Sequence, residues 1–105
     1  MSVNPKDKLQ QLEAEYRKRS EAIDRDLSQP AEADFAEQVT QKENTDVLRS
    51  LKLEAEIEHR RVMAALDRAA HGKYGECTSC GETVEAARLD AIPQAENCVR
   101  CANAA

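Results

Sequence analysis

The sequence predicts a mostly α-helical protein, in which an antiparallel helical hairpin (a coiled coil) is followed by a small module that carries four cysteines. One-third of the 105 residues are charged and only three are aromatic, which favours long solvent-facing helices over a compact core. The tract 1–71 contains no glycine, whereas all three glycines and all four cysteines lie in 72–105. We therefore expect a hairpin over 1–71, with its tip near 28–36, and a separate cysteine module over 72–105.

The first helix is predicted to begin after Asn4, because asparagine caps helices well and Pro5 suits the first helical position. Apolar residues then recur at spacings of three, four or seven, as they do along one face of a helix. These residues are Leu9, Leu12, Tyr16, Ile23 and Leu27. A break at 28–30 predicts a turn of about three residues, since Pro30 costs about 3 kcal/mol inside a helix.

The second helix is predicted to run from this break to Gly72, which is a natural helix terminator. Its apolar face comprises Phe35, Val39, Val47, Leu51, Ala55, Val62, Leu66 and Ala69. The two helices would be roughly 35 Å and nearly 60 Å long at 1.5 Å per residue. We therefore expect the first helix to cover only about half of the second. The remainder, around 55–70, should pack elsewhere, with the cysteine module as the nearest candidate, or stay partly exposed. A single long coiled coil that dimerises is the alternative, which Pro30 disfavours.

The cysteines form two pairs, Cys77 with Cys80 and Cys98 with Cys101, and each pair encloses two residues. The pairs are separated by 17 residues, a spacing typical of a structural zinc site with four thiolate ligands. Gly81, directly after the first pair, can adopt the positive φ that such a tight turn needs. We predict that these four cysteines bind one structural Zn²⁺; inert or redox-active thiols are the alternative.

The net charge of −5 narrows the list of partners. A DNA-binding finger of the GATA type has the same spacing, but it should be basic, because phosphate contacts supply most of the affinity for DNA. The module over 72–105 carries three basic and five acidic residues, and four thiolates with one Zn²⁺ add a further −2. We therefore expect no direct binding to DNA.

Membrane insertion, secretion and catalysis are also disfavoured. The longest apolar run, 62–66, is far shorter than the roughly 20 residues that span a bilayer, and the first residues contain no apolar segment typical of a secretory signal. Four thiolates leave zinc no open position for water, and the sequence has no phosphate-binding glycine loop. We expect a cytoplasmic, monomeric protein that is not an enzyme.

Three polar residues are assigned supporting roles. His71 is expected near the end of the second helix and His59 on a polar helix face, because four cysteines already complete a tetrahedral site. Arg88 lies between the cysteine pairs, where its guanidinium can donate to backbone carbonyls.

The sequence around the cysteines resembles a known zinc finger. The segments YGECTSCG at 74–81 and RLDAIPQAENCVRC at 88–101 are similar to the finger of the DksA/TraR family of bacterial transcription regulators. The resemblance implies a protein that binds RNA polymerase, inserting its hairpin through the secondary channel with an acidic tip near the catalytic region. It also implies a change in promoter-complex stability, often together with guanosine tetraphosphate.

The family's tip motif, Asp-x-x-Asp-x-Ala, is matched in part. Asp34 and Ala36 correspond to its second Asp and its Ala, whereas Ala31 occupies the first Asp position and Glu32 follows it. By resemblance, Asp34 and Ala36 are the expected polymerase-contacting tip. An acid at this point could also simply complement the helix dipole. A protein–protein adaptor that docks through the finger is the competing function, and it should tolerate replacement of Asp34.

Overall fold

A computed structural model describes residues 4–28 and 35–103, which form four helices. These are α1 (Pro5–Leu27), α2 (Phe35–Ala70), α3 (Ala86–Ala91) and α4 (Val99–Asn103). The first two helices pack antiparallel as a hairpin, and the cysteines follow in the short-helix region, so the predicted fold class is confirmed. The molecule is elongated, with extents of 56 × 30 × 24 Å. None of the helices in the described part of the chain is both long and apolar enough to cross a membrane.

Helix α1 begins at the residue that its sequence predicts. The Asn4 side chain accepts a hydrogen bond of 2.9 Å from the backbone N–H of Lys6, and Pro5 occupies the first turn. The cap satisfies one of the N–H groups that a helix start leaves without an intrahelical partner.

Helix α2 ends in a Schellman motif built around Gly72. The N–H of Lys73 donates to the carbonyl of Arg68 at 2.8 Å, and the N–H of Gly72 donates to the carbonyl of Ala69 at 3.2 Å. Gly72 has a φ of +70°, which a residue with a Cβ adopts only with strain. The predicted terminator therefore ends the helix and turns the chain toward the cysteines.

The register of the two long helices differs from the one expected from their lengths. Leu9, near the start of α1, packs against Val62 and Ala65, and Asp24, near its end, forms an ion pair with Lys52. Helix α1 thus lies along 52–66 of α2, the region expected to be left without α1. About 25 Å of α2, from Lys52 back to Phe35, instead lies on the side away from the cysteines.

One expectation is therefore wrong: 55–70 is not the part of the second helix that α1 leaves uncovered. Most of the predicted turn at 28–30 lies outside the described residues. The register follows the best side-chain packing, and that packing pairs Leu9 with residues more than 50 positions away. Helix length and the position of a break carry no information about such a pairing.

The apolar face of α2 is also partly different from the predicted one. Val47 and Leu51 are 58% and 44% exposed, although both belong to the predicted face. Lys52 and His59 lie at the contact with α1 instead, where they pair with Asp24 and a glutamate of α1. Over 42–70, the part of α2 whose side chains are described, the buried residues are Ala55, Val62 and Ala65. Polar residues inside the contact explain the error, because a hydrophobic pattern assigns them to solvent.

Candidate metal centre

The four cysteines converge on one point. Their sulfur atoms all lie within 4.8 Å of one another, and the Sγ atoms of Cys80 and Cys98 are 3.9 Å apart. A tetrahedral zinc site with Zn–S bonds of about 2.3 Å has S···S edges of roughly 3.8 Å. The sulfur positions therefore fit a single tetrahedral ion. Cys77 and Cys98 are buried, whereas Cys80 is exposed.

A tight turn presents the first pair. The N–H of Gly81 donates to the carbonyl of Cys77 at 2.9 Å, and the N–H of Cys77 donates to the carbonyl of Glu82 at 2.8 Å. Gly81 has a φ of +77°, as its position after the second cysteine predicts. An isolated antiparallel bridge between Glu76 and Thr83 closes the turn. These bonds direct both sulfurs of the pair to the same side.

The second pair lies at the start of α4. The carboxylate of Glu85 accepts a hydrogen bond of 3.2 Å from the N–H of Val99, the first residue of that helix. The Nε of Arg88, on α3, donates to the carbonyl of Asn97 at 2.8 Å, which confirms the role predicted for this arginine. Sequence periodicity did not reveal α3 or α4, because six and five residues are too few to display it.

The ionisation of the four cysteines favours binding of a cation at this site. Backbone N–H groups, that of Cys98 foremost, lower the pKa of Cys77 to about 6 and so favour its thiolate. Side-chain hydrogen bonds with the other cysteines, first with Cys98, raise the pKa of Cys101 to about 12 and so favour its protonated thiol; burial and the negative charge of Cys77 act in the same direction. Arg100 lies beside the cluster, and its hydrogen bond with Cys80 raises its pKa. Four thiolates become compatible when a divalent ion binds, so the donor set fits one structural Zn²⁺.

The cysteine module is fixed to the base of the hairpin. The hydroxyl of Tyr74 donates to the carbonyl of Pro93 at 2.8 Å, and the Tyr74 ring packs on the cluster of Leu9 and Val62. The amide of Gln94, 8% exposed, donates to the carboxylate of Glu58 on α2 at 2.9 Å. Sequence reasoning missed Gln94 and Glu58, since nothing in a single sequence links positions 36 apart.

The histidines lie away from the four sulfurs. The Nδ1 of His71 is 2.8 Å from the carbonyl of Asp67 at the end of α2, as predicted. The Nε2 of His59 is 2.7 Å from the carboxylate of Glu13, so this half-buried histidine also contacts α1 through a polar partner. This hydrogen bond lowers the pKa of Glu13.

The expected tip is largely beyond the described structure. Asp34, Glu32 and Ala31 lie outside the described residues. Ala36 is the second residue of α2.

The fold and the site together define a zinc-finger protein with a helical hairpin, and comparison with known proteins gives its family. Residues 72–105 match the model of the prokaryotic dksA/traR C4-type zinc finger. The DnaK suppressor protein from Agrobacterium tumefaciens C58 is 30% identical, with a TM-score of 0.67 over 100% of this chain and 96% of that one. Transcription factor DksA2 from Pseudomonas aeruginosa is 27% identical, with a TM-score of 0.82 over 95% of this chain and 78% of that one. No curated protein matches the chain.

The chain therefore belongs to the DksA/TraR family, a family of transcription factors. The resemblance in the cysteine segments is confirmed, and the expectation of one structural zinc ion agrees with the C4 class of the matching finger.

Proposed function

We propose that this protein regulates transcription by binding RNA polymerase through the secondary channel, where it alters the stability of promoter complexes without binding DNA. The observation that carries the proposal is the hairpin. Its longer helix has 36 residues, a reach of about 54 Å, and each helix is roughly 10–12 Å across. Such a narrow rod, held at its base by a zinc finger, suits insertion into a channel, and membership of a transcription-factor family supports this use.

Charge supports a protein partner over a nucleic acid. The finger over 72–105 carries a formal −2 from its side chains, and a zinc ion bound by four thiolates adds another −2. Attraction to the phosphate backbone requires a basic surface. In the proposal the protein acts as a monomer in the cytoplasm, as two units: the hairpin over 1–71 and the finger over 72–105.

The proposed active tip contains Asp34 and Ala36. Helix α2 runs from the finger toward residue 35, so its first turn lies at the end of the rod farthest from the zinc site. The carboxylate of Asp34 would supply the negative charge near the catalytic region of polymerase.

Binding is tested with purified core polymerase. The zinc-loaded protein is expected to bind, and a competitor that occupies the secondary channel should displace it. Displacement should occur with and without guanosine tetraphosphate, and the ratio of the two affinities would measure co-regulation. Failure to bind, or binding that the competitor leaves unchanged, would favour the adaptor function instead.

The tip is tested by Asp34→Asn in a promoter assay. The variant should bind polymerase as the unchanged protein does, while its effect on the lifetime of promoter complexes is lost. Asp46→Asn is the matched control, because Asp46 is an exposed acid on the same helix but lies away from its first turns. A fully active Asp34→Asn variant would contradict the tip assignment and leave polymerase binding unaffected.

A further inference from the structure

We propose that Asn97 is a positioning residue for the zinc site, whose side-chain amide fastens the first cysteine pair to the second. Asn97 immediately precedes Cys98, the first cysteine of the second pair. The inference concerns the metal site alone and is independent of the proposed binding to polymerase.

The contacts of Asn97 span the two pairs. Its Oδ1 accepts hydrogen bonds from the hydroxyls of Thr78 and Ser79, at 3.0 and 3.1 Å. Those two residues are the ones enclosed by Cys77 and Cys80. The same oxygen lies 3.8 Å from the Sγ of Cys77. The Oδ1 of Asn97 therefore contacts three consecutive side chains, those of Cys77, Thr78 and Ser79.

The backbone around Asn97 is held as well. Arg88 donates through Nε to the Asn97 carbonyl at 2.8 Å, and the N–H of Thr78 donates to the carbonyl of Glu96 at 2.9 Å. These bonds fix the main chain on either side of the Asn97 side chain. The fixed backbone therefore holds the Asn97 side-chain amide in contact with the first cysteine pair.

This arrangement should act through zinc affinity. Without these contacts, the zinc ion alone would have to bring together two cysteine pairs separated by 17 residues. The conformational entropy lost when that intervening segment is ordered would then weaken zinc binding. The hydroxyl–amide contacts join the pairs without help from the metal. Polar groups that orient metal ligands typically change metal affinity by about 10- to 100-fold when they are removed.

The test compares Asn97→Ala with Asn103→Ala, a control that changes the same residue type at an exposed position of α4. The dissociation constant for Zn²⁺ is measured on the full chain by competition with a chromophoric chelator. We expect Asn97→Ala to raise it about 10- to 100-fold and Asn103→Ala to leave it within about threefold. Equal constants for the two variants would overturn the proposal.

A second variant removes the hydroxyl groups that donate hydrogen bonds to Asn97. Thr78→Val combined with Ser79→Ala removes both hydroxyl donors and leaves Asn97 and its bond to Arg88 in place. We expect the same loss of affinity, and no further loss when Asn97→Ala is added, because all three changes remove one interaction. Additive losses would show that Asn97 does not act through these hydroxyls.

Absorption of the Co²⁺-substituted protein separates positioning from folding. At saturating Co²⁺, the Asn97→Ala variant should retain the spectrum of a tetrahedral four-thiolate site, reached at a higher free metal concentration. Loss of that spectrum at saturation would mean that the variant no longer builds the site, and the positioning role would be wrong.

Discussion

The contact between Leu9 and α2 offers the sharpest test of how the hairpin is assembled. Leu9 has no exposed surface and lies in one cluster with Val62 and Ala65, against which Tyr74 of the finger segment also packs. Leu9→Ala therefore removes a side chain at which α1, α2 and the start of the finger segment meet. Val62 and Ala65 are attached to a 36-residue helix that cannot move inward to fill the space.

The expected loss follows from the atoms removed. Leu9→Ala deletes three buried carbons, which at about 0.8 kcal/mol each is a transfer term of roughly 2.4 kcal/mol. The cavity left behind adds to this term, for a total near 3 kcal/mol, within the usual range of about 2–5 kcal/mol for such truncations. The thermal midpoint should fall by roughly 10–20 °C.

The assay is urea unfolding in excess zinc, followed by far-ultraviolet circular dichroism. Leu53→Ala is the matched control, because it is the same substitution on α2 at a residue that is 54% exposed. It should lower the free energy of unfolding by less than about 1 kcal/mol. Equal losses for the two variants, or a loss below about 1 kcal/mol for Leu9→Ala, would refute the packing described above.

Two further measurements address the zinc site and the contact between the helices. Chelation of zinc should unfold α3 and α4 but leave the hairpin helical. The helical circular dichroism signal should then fall by about one-sixth, because α3 and α4 supply six and five helical residues, whereas α1 and α2 supply 23 and 36. Loss of most of the helical signal would contradict this division of the chain. The hydrogen bond with His59 holds the pKa of Glu13 below its ordinary 4.5, so the bond stabilises the fold above that pH and its contribution is lost as the pH falls through the lowered pKa. Glu13→Gln should therefore flatten the acid side of the stability profile relative to the unchanged protein, and identical profiles would argue against the pair.

Local features were predictable because each depends on residues close together in the chain. The Asn4 cap, the terminator Gly72 and the turn at Gly81 all act within a few positions, and each is found where the sequence predicts it. The spacing of the four cysteines has the same character, since each pair is delivered by one turn and zinc chemistry fixes how many sulfurs must meet.

Two amphipathic helices and a four-sulfur site could thus be predicted from local sequence patterns, because periodicity and ligand spacing are properties of short segments. How these parts combine depends on three-dimensional packing. It set the register through Leu9 and Val62, placed His59 at the contact between the helices, and brought Asn97 against Thr78. Each of these pairings joins residues distant in sequence and depends on shape and on polar partners that no local pattern encodes. For that reason the start of α1 and the end of α2 could be predicted, whereas the part of α2 that α1 covers could not.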